Sequence, residues 1–204
     1  MIVFAFTLLP LVQEPALTAS GVLAQARTAY SKLSVYNVKG VVTLKGGDLK
    51  AQFVVKYHAP GKLRVEWVVT TMPPRRGALI LNDGATFWFD SRRDNQIHDT
   101  PFADLIKQTS GDSFGSSFHL PTILLKTSPI SILDVNESKL TEVITAEGQS
   151  MAVIQGTYPG DQSSPCTLWI GLGDGLIYRI ETPLAVETHQ PLSTVPASES
   201  FAIP

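Results

Sequence analysis

The sequence predicts a mainly antiparallel α+β domain in which short helices cover one face of a sheet. Three observations carry this. From Tyr36 to about Ser91 the chain is a series of short runs that alternate apolar and polar side chains, the period of strands with one buried face. The runs are separated by Gly46-Gly47, Pro60-Gly61 and Asp83-Gly84. Such turn pairs join antiparallel neighbours directly, whereas parallel strands need long crossovers for which this region has no room. Finally, the order of periods along the chain is helix, strands, helices, strands.

The elements follow in order. Ile2 to Val12 is an apolar run of signal-peptide length, too short to span a bilayer, so residues 1–16 are expected to be a signal segment and 17–204 a single domain that is periplasmic or otherwise exported. No Lys or Arg precedes Arg27, no small-x-small cleavage site is evident, and no cysteine follows the run to carry a lipid anchor. Leu23, Ala26, Tyr30 and Leu33 then recur at helical spacing, with Thr18 or Ser20 available as cap. In the first strands Phe53, Val55 and Tyr57 oppose Gln52, Lys56 and His58, and Leu63, Val65, Trp67 and Val69 oppose Arg64, Glu66 and Thr70. Leu79 and Leu81, then Phe87 and Phe89, are expected to continue the apolar face. Thr100-Pro101 opens a short helix with Phe102, Leu105 and Ile106 on one side, and Gly- and Ser-rich breakers then alternate with Phe114, Phe118, Leu120 and Ile123 up to Pro129. A second β block covers about Leu140–Ala146, Met151–Tyr158, Thr167–Leu172 and Leu176–Thr182. The tail from Glu187 to Pro204 reads as a loop with at most one edge strand around Phe201.

Composition narrows the function. A chain of 204 residues, 44% hydrophobic, buries one proper core. With 17% charged residues and a net charge of −2, it has no broad basic surface, so nucleic acid is not an expected partner. The lone Cys166 excludes an internal disulfide and a multi-cysteine metal site. Gly111-Asp112-Ser113-Phe114-Gly115 fits the G-x-S-x-G pattern of a nucleophile elbow. A polar helix end precedes it and Pro121 soon follows, where an elbow needs a buried strand and a long helix, so a serine esterase acting through Ser113 is a remote alternative to a flexible lid connection. His119 lies close by without making a triad.

His58, His98, His119 and His189 have no metal-ligand spacing and read as surface or loop residues. Asp90, Asp94, Asp99, Asp104 and Asp112 cluster enough to imagine a glycosidase pair, but most stand beside Gly, Ser, Asn or Pro and read as turn and cap residues. The Pro73-Pro74-Arg75-Arg76 loop carries positive charge that reads as solvated, or as able to meet a lipid headgroup or acidic partner. No phosphate-binding glycine loop is present, and neither a cofactor nor a chemical step is expected.

What remains is the apolar face. A plain hydrophobic core has the same pattern. Helices broken by Gly and Ser, however, suit lifting better than permanent close packing, which points to a lid over an apolar pocket. Its expected lining is Phe53, Val55, Leu63, Val65, Trp67, Leu79, Leu81, Phe87 and Phe89 from strands and Leu105, Ile106, Phe114 and Phe118 from the lid.

Several segments resemble the LolA/LolB superfamily of outer-membrane lipoprotein carriers. They are His58 to Trp67 with Pro60, Lys62, Arg64 and Glu66; Leu79 to Asp90 with Asp83, Gly84 and Trp88; and the late pair Thr167–Ile170 and Leu176–Ile180. The similarity runs from about Leu17 to Pro204. It implies a curved, half-open β-barrel whose concave apolar face is lidded by short helices and accepts lipoprotein acyl chains or other lipids. An envelope membrane-protein complex is a further implied partner, and a monomer is expected. In the carrier proper an Arg stands immediately before the Pro of the first motif and helps hold the lid. Ala59 occupies that place here, which implies a divergent member with other hydrophobic cargo or a sensing role.

Overall fold

The computed structural model describes residues 16–70, 73–91, 96–97, 100–126, 130–146, 148–159 and 164–202. The expected signal segment lies almost wholly outside them, as do His98, Asp94 and Asp99.

The chain opens with helix α1, Ala19–Lys32, which Thr18 caps by accepting the Gly21 N–H at 3.1 Å. Strands β1 (Val35–Leu44), β2 (Lys50–His58), β3 (Lys62–Val69), β4 (Arg75–Asn82), β5 (Ala85–Asp90) and β6 (Gln96–Ile97) follow as a meander. Helices α2 (Phe102–Ser110) and α3 (His119–Leu125) interrupt it. The chain then returns through β7 (Asn136–Ala146), β8 (Gln149–Thr157), β9 (Pro165–Gly171), β10 (Ile177–Glu181) and β11 (Ala185–Pro191). All belong to one antiparallel eleven-stranded sheet, ordered β6-β5-β4-β3-β2-β1-β11-β10-β9-β8-β7. Among the described residues neither β6 nor β7 pairs with the other, so the barrel is left open.

The turns do what their residues dictate. Asp83 and Gly84 both take positive φ, and the two-residue link sets Asn82 opposite Ala85. The register then places Leu79 opposite Trp88, and Ile80 and Ala78 opposite Phe87 and Phe89. Side chains directly opposite share a face. Trp88 therefore joins Leu79, Trp67 and Val65 on the inner, helix-covered face, while Phe87 and Phe89 point to the outer one. The expectation that Phe87 and Phe89 continue the apolar inner face is corrected on this point.

Two glycines make the inner face fit. A Cβ on Gly77 would fall 2.2 Å from the Trp67 ring, and one on Gly40 would fall 2.2 Å from the Phe53 ring and 2.3 Å from the Thr188 carbonyl oxygen. Each large ring fills the space that a side chain on the neighbouring strand would take.

The tail also differs from expectation. Ala185–Pro191 is a full strand, seated between β1 and β10 in the middle of the sheet. Beyond it the chain straps the outer face. Leu192 N–H donates to Asn37 O, Asn37 Nδ2 donates to Thr194 Oγ1 at 2.8 Å, and a 3₁₀ turn, Ser198–Phe201, buries Phe201 beside β3 and β4. Among the described residues no edge strand forms around Phe201.

Candidate functional site

The inner face and its helical cover form one continuous apolar core. Phe53, Val55, Leu63, Val65, Trp67 and Leu79 from the sheet meet Leu105 and Ile106 of α2 and Leu120 of α3, all of them buried. Leu81, Phe114 and Phe118 pack at its margin, partly exposed. A cleft of about 450 Å³ separates α1 from α3, lined among others by Arg27, Tyr30, Thr122, Ile123 and Leu133. A larger cavity, about 1120 Å³, opens on the outer face, and Phe87 and Phe89 line it with Arg64, Glu66, Arg76 and Lys39.

The helices are held in two different ways. Helix α1 is fixed to the sheet, where Tyr30 Oη accepts the Ile177 N–H at 3.1 Å and Gln25 Nε2 donates to Leu172 O just past the end of β9 at 2.8 Å, and Arg27 ties it to the α3–β7 connection by donating to Leu133 O at 2.7 Å. The α2–α3 cover is satisfied within itself. Thr109, Ser113, Ser116 and Ser117 are fully buried, and their hydroxyls bond one another or carbonyls of the same segment. Among the described residues two cover side chains make named polar ties to the sheet. Asp112 meets Arg75, which also holds Asp90 at 2.9 Å, and His119 meets Glu187 at 2.7 Å.

Arg75 and Asp90 are thus not solvated loop and turn residues; Asp90 is 2% exposed at the floor. Burial works against the Arg75 charge, but Asp112 and Asp90 outweigh it and raise its pKa.

The second tie is the polar centre of the inner face. Glu187 on β11 stands opposite Val42 and Ile180, and His189, two residues on, shares its face. Glu187 Oε1 is 2.6 Å from His189 Nε2 and Oε2 is 2.7 Å from His119 Nδ1. His189 Nδ1 lies 3.0 Å from Ile177 O, which only accepts, so His189 donates from Nδ1. With Glu187 ionised it donates from Nε2 as well, and is then an imidazolium. His119 Nε2 reaches Tyr158 Oη at 3.2 Å. Burial opposes the Glu187 charge, yet His119 and His189 outweigh it and hold the carboxyl well below the usual range. Burial pushes the Tyr158 hydroxyl up to about 12. The Phe53 ring stands edge-on to His189 at 5.8 Å.

This corrects the reading of His119 and His189 as surface residues; both are buried. His58 is exposed at the end of β2. Ser113 forms no nucleophile elbow. Its hydroxyl bonds Ser117 at 2.7 Å inside a run of turns, and both His119 ring nitrogens are already engaged by Glu187 and Tyr158. Glu187 and Tyr158 carried no signal of their own in the sequence. The i,i+2 spacing of Glu187 and His189, which puts both on one face of a strand, was the available clue.

No family model and no curated protein matches the chain. Solved structures do. MucB aligns at TM-score 0.54 and 15% identity over 91% of this chain and 62% of its own. The MucA/MucB complex from Pseudomonas aeruginosa aligns at 0.51 and 14%, over 91% and 61%. Lipoprotein LppX from Mycobacterium tuberculosis aligns at 0.50 and 16%, over 85% and 94%. The chain therefore spans less than two thirds of MucB and nearly all of LppX. At such identities the likeness is one of fold alone.

Proposed function

We propose that this protein is a non-catalytic, exported carrier that takes acyl chains between the inner face of its sheet and the α2–α3 cover. The observation that supports this best is how the cover is satisfied. Its buried hydroxyls bond within the cover, so lifting it as a unit strands none of them, and among the described residues the polar ties that must part are those of His119 and Asp112. The cover is built to be displaced. The exchange is energetically balanced. Burying the roughly 15 methylenes of a sixteen-carbon chain, at about 0.8 kcal/mol each, releases on the order of 12 kcal/mol, comparable to re-exposing Leu105, Ile106, Leu120, Ile123 and Leu124 at roughly 1.5–3 kcal/mol apiece.

The test is uptake by delipidated protein, with hydrogen exchange followed across 102–125. Addition of an acyl ligand should give a stoichiometric complex in native mass spectrometry and speed exchange in α2 and α3 while α1 stays protected. Trp67→Asp should abolish uptake and keep the β circular-dichroism signal. Absence of any complex, with cover exchange unchanged, ends the carrier reading.

A second reading, a sensor or envelope-complex interaction module, draws on the outer cavity of about 1120 Å³. Lys39 and Arg76 line it, and neither has a carboxylate partner among the described residues. Co-purification of a stable envelope protein complex with no bound lipid would favour it.

A further inference from the structure

Glu187 lies at the middle of the inner face, with apolar neighbours, Val42 and Ile180, on both adjoining strands. Its two carboxylate oxygens are served from different bodies. Oε1 faces His189, which belongs to the same strand and stays with the sheet. Oε2 faces His119, the first residue of α3, which belongs to the cover. Displacing the cover therefore leaves the His189–Glu187 pair on an apolar floor with one carboxylate oxygen lacking its donor, an arrangement that costs more than an ordinary lost hydrogen bond because the group is charged.

Resting on the carrier reading, we infer that the guest supplies the missing donor: Glu187 selects acyl compounds whose first polar group is a neutral N–H or O–H, such as an acyl amide or the free hydroxyl of a glyceride. Charge rules out the alternatives. His189, donating from both nitrogens, already balances Glu187, so a ligand carboxylate or phosphate placed against Oε2 finds no spare cation there. Arg75, the other cation at the inner face among the described residues, is committed to Asp90 and Asp112. A ligand ammonium would leave net positive charge in a low-dielectric site. Tyr158 faces His119 rather than Glu187, and its hydroxyl stays protonated at neutral pH. A site made to hydrogen-bond one group rejects the analogue lacking it, because its own polar atom is then left unmet.

The experiment compares four ligands with twelve-carbon chains, below their micelle concentrations at pH 7.5: lauroyl ethanolamide, monolaurin, laurate and dodecylamine. Binding is read by native mass spectrometry and calorimetry on the full chain, for wild type, Glu187→Gln and His119→Ala. The amide and the glyceride should bind roughly ten- to a hundredfold more tightly than laurate, and more tightly than the amine. In Glu187→Gln the negative charge is gone and the amide can turn from His189 to the guest, donating to a carboxylate while its carbonyl accepts from His189 Nε2–H, so the gap to laurate should close. In His119→Ala, where Oε2 is already unmet before binding, both neutral donors should gain affinity and laurate should not, which keeps the question decidable if Glu187→Gln does not fold. Binding of all four ligands with no such ranking overturns the inference and leaves the carrier reading standing. Binding of none overturns both.

Discussion

Removing the Glu187 carboxylate tests whether the inner face is organised around a charge or merely contains one. The group is 2% exposed and bonded to two imidazoles at 2.6 and 2.7 Å. Glu187→Ala leaves both rings in apolar surroundings without their acceptor, and breaking a buried pair from one side costs about 3–5 kcal/mol. For a chain of this size that lowers the melting temperature by roughly 6–20 °C, a large part of the total stability of a folded domain. Glu187→Gln is expected to cost far less, about 1–2 kcal/mol. Its carbonyl oxygen can accept from His119, and its amide can donate to His189 Nε2 once that ring gives up its second proton, with Nδ1–H still bonded to Ile177 O. The pH dependence has a definite sign. A carboxyl held below its ordinary value adds stability that is present above about pH 4.5 and is lost as pH falls through its folded-state pKa. The advantage of wild type over Glu187→Gln should therefore shrink between pH 5 and pH 3. Urea unfolding followed by circular dichroism measures all three quantities. If Ala and Gln both cost under about 1 kcal/mol, as exposed ion pairs do, the cluster is not the buried centre described above.

Three further outcomes are expected. Gly77→Val should destabilise by at least about 1–3 kcal/mol in urea titration, because its Cβ would lie 2.2 Å from the Trp67 ring, whereas the same change at Gly47, with open space around it, should not. Phe201→Ala should cost about 3–5 kcal/mol if the terminal strap is part of the fold, since Phe201 is buried on the outer face; a loss under about 1 kcal/mol would make the strap a mere flap. Cys166 is buried and its thiol is pushed up to about 12 by desolvation, so it should react with a thiol reagent only on unfolding; fast labelling of native protein would contradict its placement.

The parts of this fold that could be read from sequence are those decided locally. Thr18 caps α1 as its side chain allows, and the Gly- and Pro-containing turns join the strands they separate. The misplacement of Phe87 and Phe89 has a specific cause. Phe87-Trp88-Phe89 is apolar at three successive positions, so alternation cannot choose which residues face in. The tight turn can: with Asp83-Gly84 linking Asn82 to Ala85, counting outward puts Trp88 opposite Leu79. Register from the turn outranks hydrophobicity there.

Strand β11 was hidden for a deeper reason. A strand is recognised by an apolar face, and the inward residues of Ala185–Pro191 include Glu187 and His189, which read as solvent-facing when their partners are unknown. The partner that makes Glu187 an inner residue is His119, 68 positions away on a helix that itself reads as ordinary cover. Neither residue makes sense alone, because a buried charge is tolerable only when both ends of the pair arrive together. The same long-range dependence that concealed the site is what gives the cover its tie. A link formed between two elements so distant in the chain is made only when the sheet and its cover are docked.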